Sequence, residues 1–202
     1  MTAPAIRVVP GHPVDTLAWL RGDLAFRLAP FAAIVVGVAA LFHPRWLGLG
    51  LGDVRAQLLF GFVAAPVMFA AAAAVQLLMS RWRGALRVPD GADAALQAGY
   101  YLLNGPIEEG VFRGLIQGGV TSVLGGPAGF AAGTLTYVLY HRLGRWWWPD
   151  VLVTALVGVP LGLAFWLLPG APSLLGVSIA HVGATCGYLG VGPYVLSRLR
   201  LV

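Results

Sequence analysis

The sequence has no lysine, a single cysteine and only two glutamates among its 202 residues. The one cysteine, Cys186, excludes an intrachain disulfide, and its apolar surroundings predict a packing residue. Charged residues make up 10% of the chain and hydrophobic residues 58%, with a mean hydropathy of +0.81. This composition is typical of a membrane protein. We therefore predict a single membrane domain over residues 1–202.

The net charge of +5 comes entirely from arginine, because lysine is absent. In a soluble protein such a basic balance would suggest nucleic acid as a partner. Here the arginines flank apolar runs, so the anionic membrane surface is the expected partner instead. The composition thus predicts contact with membrane lipid and no binding of nucleic acid.

Long apolar runs predict an all-α fold, a polytopic bundle of transmembrane helices with about six spans. The predicted spans are Ala29–Phe42, Ala56–Met79, Pro106–Leu124, Ala128–His141, Val151–Leu168 and Leu174–Ser197.

Two further segments are predicted to be amphipathic helices on the membrane surface. The first lies in residues 1–28, a predicted cytoplasmic segment in which Val14 and a series of leucines recur at helical spacing. The second is Ala92–Leu103, which we expect to end at Gly105-Pro106. Since proline is favoured in the first turn of a helix, the two glutamates that follow would stand in the opening turn of the third span.

The arginine positions predict the orientation of the bundle. With a cytoplasmic N-terminus, that side has ten arginines and the other side two, a positive-inside bias that also places the C-terminus in the cytoplasm. The run Trp146-Trp147-Trp148-Pro149 would anchor the bundle at an interface. Arginine is used in place of lysine throughout, and the chain is rich in alanine and glycine. This composition suggests a prokaryotic source, and hence the plasma (inner) membrane. The ten arginines are Arg7, Arg21, Arg27, Arg81, Arg83, Arg87, Arg142, Arg145, Arg198 and Arg200; the two are Arg45 and Arg55.

The two glutamates stand side by side in an apolar stretch, at Glu108 and Glu109, and Arg113 follows four residues after the second. An ionisable group at the centre of a membrane helix costs at least roughly 2.5–3.5 kcal/mol, so three together indicate a function. Glu109 and Arg113 share a helix face and are expected to pair. Glu108 points about 100° away and is expected to have no cationic partner, which would leave it able to accept a proton. A structural salt bridge would also explain the pair, but not Glu108.

Two histidines fall in predicted spans, each with a notable residue one helical turn away. Tyr137 precedes His141, and Thr185 follows His181. A lone membrane histidine is more often a packing or interface residue. Two of them alongside a glutamate pair favour a polar cluster, because each imidazole needs a hydrogen-bond partner in hydrocarbon.

Three motifs occur in order between residues 104 and 188. The first is Glu108-Glu109-Gly110-Val111-Phe112-Arg113, the second runs from Tyr137 to His141, and the third runs from His181 to Thr185. In order and spacing they resemble the EExxxR, aromatic-x3-His and His-x3-Asn motifs of the CPBP family, the CAAX prenyl protease and bacteriocin-processing type of intramembrane glutamic protease. Tyrosine stands for the commoner phenylalanine in the second motif, and threonine stands for asparagine in the third.

The resemblance implies a hydrolase with a catalytic core at 104–188, an endopeptidase that cleaves a membrane-associated peptide or protein with no cofactor and no metal ion. Glu108 would be the general base that activates a water molecule, and His141 would help to bind and orient that water. His181 would donate a hydrogen bond to the oxyanion of the scissile carbonyl, with Thr185 as the second donor. The implied supporting residues are Glu109, Arg113, Tyr137 and Thr185.

Three other interpretations remain open. Glutamate and histidine suit zinc or iron, but no HExxH or Glu-x-x-His spacing occurs. A proton-coupled carrier would use membrane carboxylates, but no internal repeat is evident. A catalytically altered, CPBP-like immunity or scaffold protein is favoured by Thr185 and disfavoured by Glu108, which a scaffold does not need.

Overall fold

The structure is a computed structural model that describes residues 6–202. It confirms the predicted all-α fold of a membrane helix bundle. The helices are α1 (Pro13–Asp23), α2 (Ala29–Phe42), α3 (Val54–Arg83), α4 (Gly91–Glu109), α5 (Gly119–Leu124), α6 (Gly126–Tyr140), α7 (Trp148–Val153), α8 (Ala155–Leu167), α9 (Leu175–Tyr188) and α10 (Val191–Arg198). The segments Leu24–Leu28 and Gly110–Gly118 are π-helical, and Arg45–Leu47 is a 3-10 turn.

A two-stranded parallel sheet was not predicted. Strand β1 (Arg7–Gly11) pairs with β2 (Ala85–Pro89), with Val9 opposite Arg87. The sheet attaches the segment before α1 to the connection between α3 and α4.

The N-terminal helix is continuous from Pro13 to Phe42, through the π-helical segment Leu24–Leu28. The prediction of a separate surface helix before the first span is therefore wrong. Pro30 lacks an N–H for the carbonyl four residues earlier, and local π-helical geometry is one way to satisfy a backbone group freed in this manner. The face that bears Asp23 and Arg27 turns toward the interior of the protein.

Helix α4 also continues where a break was predicted. It passes through Pro106 and leads by way of the segment Gly110–Gly118 into α5, so Glu108 and Glu109 lie in the interior of a long helix. A Cβ atom at Gly105 would lie 2.8 Å from Cγ2 of Val182 in α9. Glycine at this position therefore allows α4 and α9 to approach closely.

Three helical stretches are long and apolar enough to cross a membrane: Pro13–Phe42, Val54–Arg83 and Trp148–Leu167. Helices α9 and α10, bent by 50° at their junction, together make a fourth candidate. The prediction of six spans is not confirmed. The predicted third span contains three charged residues, and α6 has only 15 residues.

Three apolar clusters hold the helices around a central cavity, the third of them around Phe112 and Tyr137. In the first, Leu161 and Phe165 of α8 pack with Val177 of α9. In the second, Leu20 of the N-terminal helix packs with Tyr101 of α4, and Cys186 packs against this cluster as predicted. These clusters set the positions of the helices whose polar side chains line the cavity.

Candidate active site

A cavity of about 250 Å³ lies between the N-terminal helix, α3, α4, α6, α8 and α9. Glu108 of α4, His141 at the end of α6, and His181 and Thr185 of α9 all line it. The structure thus brings the three predicted catalytic residues and the threonine to one cavity. Their catalytic roles remain predictions.

Glu109 joins two other residues of the predicted site. Arg113 Nε donates to Glu109 Oε2 at 3.1 Å, and both side chains are fully buried. This confirms the predicted pair. The other oxygen, Glu109 Oε1, lies 2.6 Å from His181 Nδ1. Because a carboxylate accepts hydrogen bonds, the proton is assigned to Nδ1. Glu109 thereby fixes the orientation of the His181 ring.

The opposite edge of the same imidazole faces Glu108. His181 Nε2 lies 3.5 Å from Glu108 Oε2, so the two adjacent carboxylates flank one ring. The close approach of α4 and α9 at Gly105 makes this arrangement possible.

Glu108 does have a cationic partner, contrary to prediction. Arg27 Nη1 donates to Glu108 Oε1. The contact joins residues 81 positions apart, a separation at which local spacing gives no signal. The prediction that Arg27 lies among the arginines of the cytoplasmic surface is therefore wrong. Since Arg27 binds Oε1, Glu108 Oε2 is the oxygen that faces His181.

Besides Glu108, Arg27 donates to Asp23, to Asn104 and, at 3.5 Å, to the Tyr100 hydroxyl. Asp23 accepts hydrogen bonds from Arg27 Nε, at 2.6 Å, and from Nη2, and Asn104 Oδ1 accepts from Nη2 at 2.6 Å. The Tyr100 hydroxyl donates to Asp23. We call Asp23, Arg27 and Tyr100 the Arg27 triad.

A second set of the same residue types borders the cavity. Arg83 Nη1 donates to Asp150 Oδ2 at 2.9 Å, and the Tyr188 hydroxyl donates to Asp150 Oδ1. Asp150 and Tyr188 line the cavity. We call these three residues the Arg83 triad. Within residues 6–202, no hydrogen bond joins this triad to Glu108.

Tyr137 separates the two histidines of the site. Its ring centroid lies 4.9 Å from that of His141 and 5.7 Å from that of His181, both edge-on. The Arg113 guanidinium lies over its face at 5.1 Å. His141 Nδ1 lies 2.8 Å from the carbonyl oxygen of Tyr137, which accepts a hydrogen bond from Nδ1–H. In a neutral ring, His141 Nε2 is then an acceptor.

The tryptophan run divides between two environments. Trp147 and Trp148 are exposed, as an anchoring belt requires. Trp146 instead lines the cavity, with its ring centroid 4.9 Å from that of His141, and stacks on Tyr188. For Trp146 the predicted role in the belt is wrong.

Several residues of the cavity and of the Arg27 triad were missed from the sequence, although two spacings point to them. Tyr100, Asn104 and Glu108 recur every four residues and therefore share one face of α4. Asp23 and Arg27 have the same spacing in an apolar helix. The other residues missed at the cavity are Trp146, Asp150 and Tyr188.

The buried polar groups have nearly balanced charges. Hydrogen bonds and ion pairs link three carboxylates and two guanidinium groups to His181, directly or through a neighbour, so with a neutral imidazole the cluster bears one negative charge. Among the described residues, no group of three His, Cys, Asp or Glu side chains is placed to hold a metal ion. The charged side chains are Asp23, Glu108, Glu109, Arg27 and Arg113.

Comparison with known families agrees with the motifs. Residues 91–186 match the family model described as Rce1-like, type II CAAX prenyl endopeptidase. No curated protein and no solved structure matches the chain. The matched range contains all three motifs, whereas Asp23, Arg27 and Arg83 lie outside it. The family match supports an intramembrane endopeptidase, and the long apolar helices support an integral membrane protein. The predicted resemblance is thus confirmed: over residues 91–186 the chain is similar to the Rce1-like type II CAAX prenyl endopeptidases of the CPBP family.

Proposed function

We propose that this protein is an intramembrane endopeptidase that hydrolyses a membrane-associated peptide or protein with a water molecule activated by Glu108. The observation that supports this most strongly is the shared cavity, in which Glu108 Oε2 lies 3.5 Å from His181 Nε2 and His141 forms another part of the wall. The similarity to prenyl endopeptidases supports the reaction class.

In the proposed reaction, Glu108 Oε2 removes a proton from water while the water oxygen forms a bond to the scissile carbonyl carbon. The electron pair of the C=O bond moves to oxygen. The protonated Glu108 then transfers its proton to the amide nitrogen as the C–N bond breaks. His141 Nε2 accepts a hydrogen bond from the same water and orients it. In this assignment Glu108 acts through Oε2 and His141 acts through Nε2.

The oxyanion requires donors that point to it. His181 Nδ1 is committed to Glu109, so Nε2 donates only when the ring is an imidazolium. The proposed reaction therefore uses the imidazolium form of His181. Thr185, one turn later, supplies a hydroxyl as a second donor, although it is shorter than the asparagine of the family motif. Removal of one such donor typically costs about 10²–10³ in kcat.

A scaffold or immunity protein is the less favoured function. Such a protein has no need of two carboxylates that flank an imidazole at a cavity, because each buried charge costs free energy.

We further propose that the protein lies in the plasma membrane of a prokaryote, with both termini in the cytoplasm and with lipid and a membrane-associated substrate as its partners. The excess of arginines on one side supports this orientation. Arg27 belongs to the cavity and does not contribute to that surface.

The proposal is tested with Glu108→Gln in the full chain, assayed on a panel of lipidated and unlipidated peptides in vesicles. Glutamine keeps the shape of glutamate but cannot accept the proton, so we expect cleavage to fall by about 10²–10⁴-fold. Thermal unfolding in detergent should remain close to that of the parent protein. Full activity of the folded variant would refute the assignment of the base. A second assay, with a chelator added, should leave cleavage by the parent protein unchanged.

A further inference from the structure

Arg27 is an unusual neighbour for a catalytic base, and it comes from outside the segment that the family model matches. It lies in the π-helical turn Leu24–Leu28, whereas the match begins at residue 91. π-Helical turns are rare and are found frequently at functional sites. The second π-helical segment, Gly110–Gly118, directly follows Glu109. Both irregular turns therefore adjoin the same polar cluster.

The contacts of Arg27 divide the two oxygens of Glu108 between two tasks. Oε1 accepts from Arg27 Nη1, while Oε2 faces His181 Nε2. The carboxylate group of Glu108 can rotate about the Cγ–Cδ bond, and a hydrogen bond to one of its oxygens restricts that rotation. Arg27 thus determines which oxygen is presented to the reacting water.

Asp23 and Tyr100 in turn determine where Arg27 lies. Asp23 accepts from two nitrogens of the guanidinium group, and the Tyr100 hydroxyl donates to the same carboxylate. The Asp23 charge also offsets that of Arg27, so Glu108 is held without being the sole counter-ion. The guanidinium group is planar and rigid, which makes such two-sided recognition possible.

We propose that Arg27, held by Asp23, is a positioning residue that fixes the Glu108 carboxylate through Oε1 and leaves Oε2 directed at the water. This inference rests on the proposed function, since it assigns Glu108 the role of base. Arg27 does not touch the reacting atoms. Its removal should therefore lower kcat and leave KM nearly unchanged.

The test compares Arg27→Ala with Arg83→Ala, because Arg83 occupies the same place in a triad that does not touch Glu108. For Arg27→Ala we expect kcat to fall by roughly 10–100-fold, as for other small misplacements of a catalytic group, with KM within about threefold of the parent value. Arg83→Ala should change kcat by less than about threefold.

Chemical rescue separates a positioning role from a structural one. The Arg27 side chain is 22% exposed at the cavity, so free guanidinium ion at millimolar concentration should enter the space left in Arg27→Ala and restore part of kcat. The same ion should not raise the activity of Arg83→Ala. Arg27→Lys, which retains the charge but not the planar fork, should show an intermediate kcat.

Five outcomes decide the question. Loss of kcat with guanidinium rescue supports the proposal. Parent-like activity of Arg27→Ala refutes it, as does an increase, which would make Arg27 an inhibitory partner of Glu108. If Arg27→Ala does not fold in detergent, Arg27→Lys alone decides, and parent-like kcat in that folded variant refutes the proposal. Activity retained by Glu108→Gln would instead refute the proposed function, whatever the Arg27 variants do.

Discussion

The Arg27 triad and the Arg83 triad consist of the same three residue types, yet only the first contacts Glu108. In each, an arginine donates to an aspartate that also accepts from a tyrosine hydroxyl. Arg27 has a second carboxylate in reach, whereas the second acceptor of Arg83 is the neutral amide of Gln76. The Arg83 triad thus joins α3, α7 and α9 without a contact to Glu108.

The comparison teaches that residue identity does not by itself separate a structural cluster from a functional one. Both triads adjoin one cavity and both contain a buried or half-buried aspartate. What differs is the partner of the arginine beyond its aspartate. Because Arg27 bridges the carboxylates of Asp23 and Glu108, the position of Glu108 depends on that of Asp23.

The largest expected effect is on the free energy of unfolding. It is expected to differ between a fully buried arginine pair and a partly exposed one. Arg113→Met leaves Glu109 buried without its cation, so we expect the free energy of unfolding to fall by about 3–5 kcal/mol. The Arg83 side chain is 32% exposed, so Arg83→Met should lower the free energy of unfolding by about 1 kcal/mol or less. Denaturant titration in detergent micelles measures both. Equal losses would mean that burial does not distinguish the pairs.

The next largest effect is a fall in kcat. It should distinguish two positions of α9 that lie two helical turns apart. His181→Gln removes the imidazole between the two glutamates, and we expect kcat to fall by roughly 10²–10³-fold. Tyr188→Phe removes the hydroxyl of the Arg83 triad and should change kcat by less than about threefold. Steady-state cleavage of one peptide by both variants provides the measurement. Similar losses in the two would contradict the division between the triads.

A smaller effect is expected at the aspartates. Asp23→Asn weakens the hold on Arg27 without deleting it, so a fall in kcat of roughly tenfold is expected, whereas Asp150→Asn should have less effect. The ratio of the two kcat values is the quantity to measure. A ratio near one would remove the reason for treating the triads differently.

The smallest effect concerns Thr185, which lies on the cavity wall shared by the two triads. Thr185→Asn restores the longer amide donor of the family motif, so kcat should equal that of the parent protein or rise a few-fold. Single-turnover cleavage rates are suitable for so small a change. A sharp loss would show that the threonine hydroxyl already has a role that the motif does not describe.

Local spacing predicted the features that depend on neighbours in sequence. Helix α2 was predicted at Ala29–Phe42 and is found there, and the pair of Glu109 with Arg113 follows from their separation by four residues. The meeting of Glu108, His141 and His181 at one cavity was expected from motif order.

Features that depend on distant parts of the chain could not be predicted in this way. The contact of Arg27 with Glu108 and the pairing of β1 with β2 both join distant segments. The break expected at Gly105-Pro106 was wrong for a different reason. Proline is tolerated inside membrane helices, because neighbouring helices and local π-helical geometry can satisfy the backbone groups that it frees, and α4 continues through Pro106.

The short parallel sheet has a consequence for engineering of the N-terminal region. Because β1 is bonded to β2 and leads directly into α1, it sets the depth at which the first helix enters the bundle, and hence the height of its charged turn. An insertion between Gly11 and Pro13 would shift that helix along its axis. Such a change, made far from any motif, would move Arg27 relative to Glu108 and so lower the rate of hydrolysis.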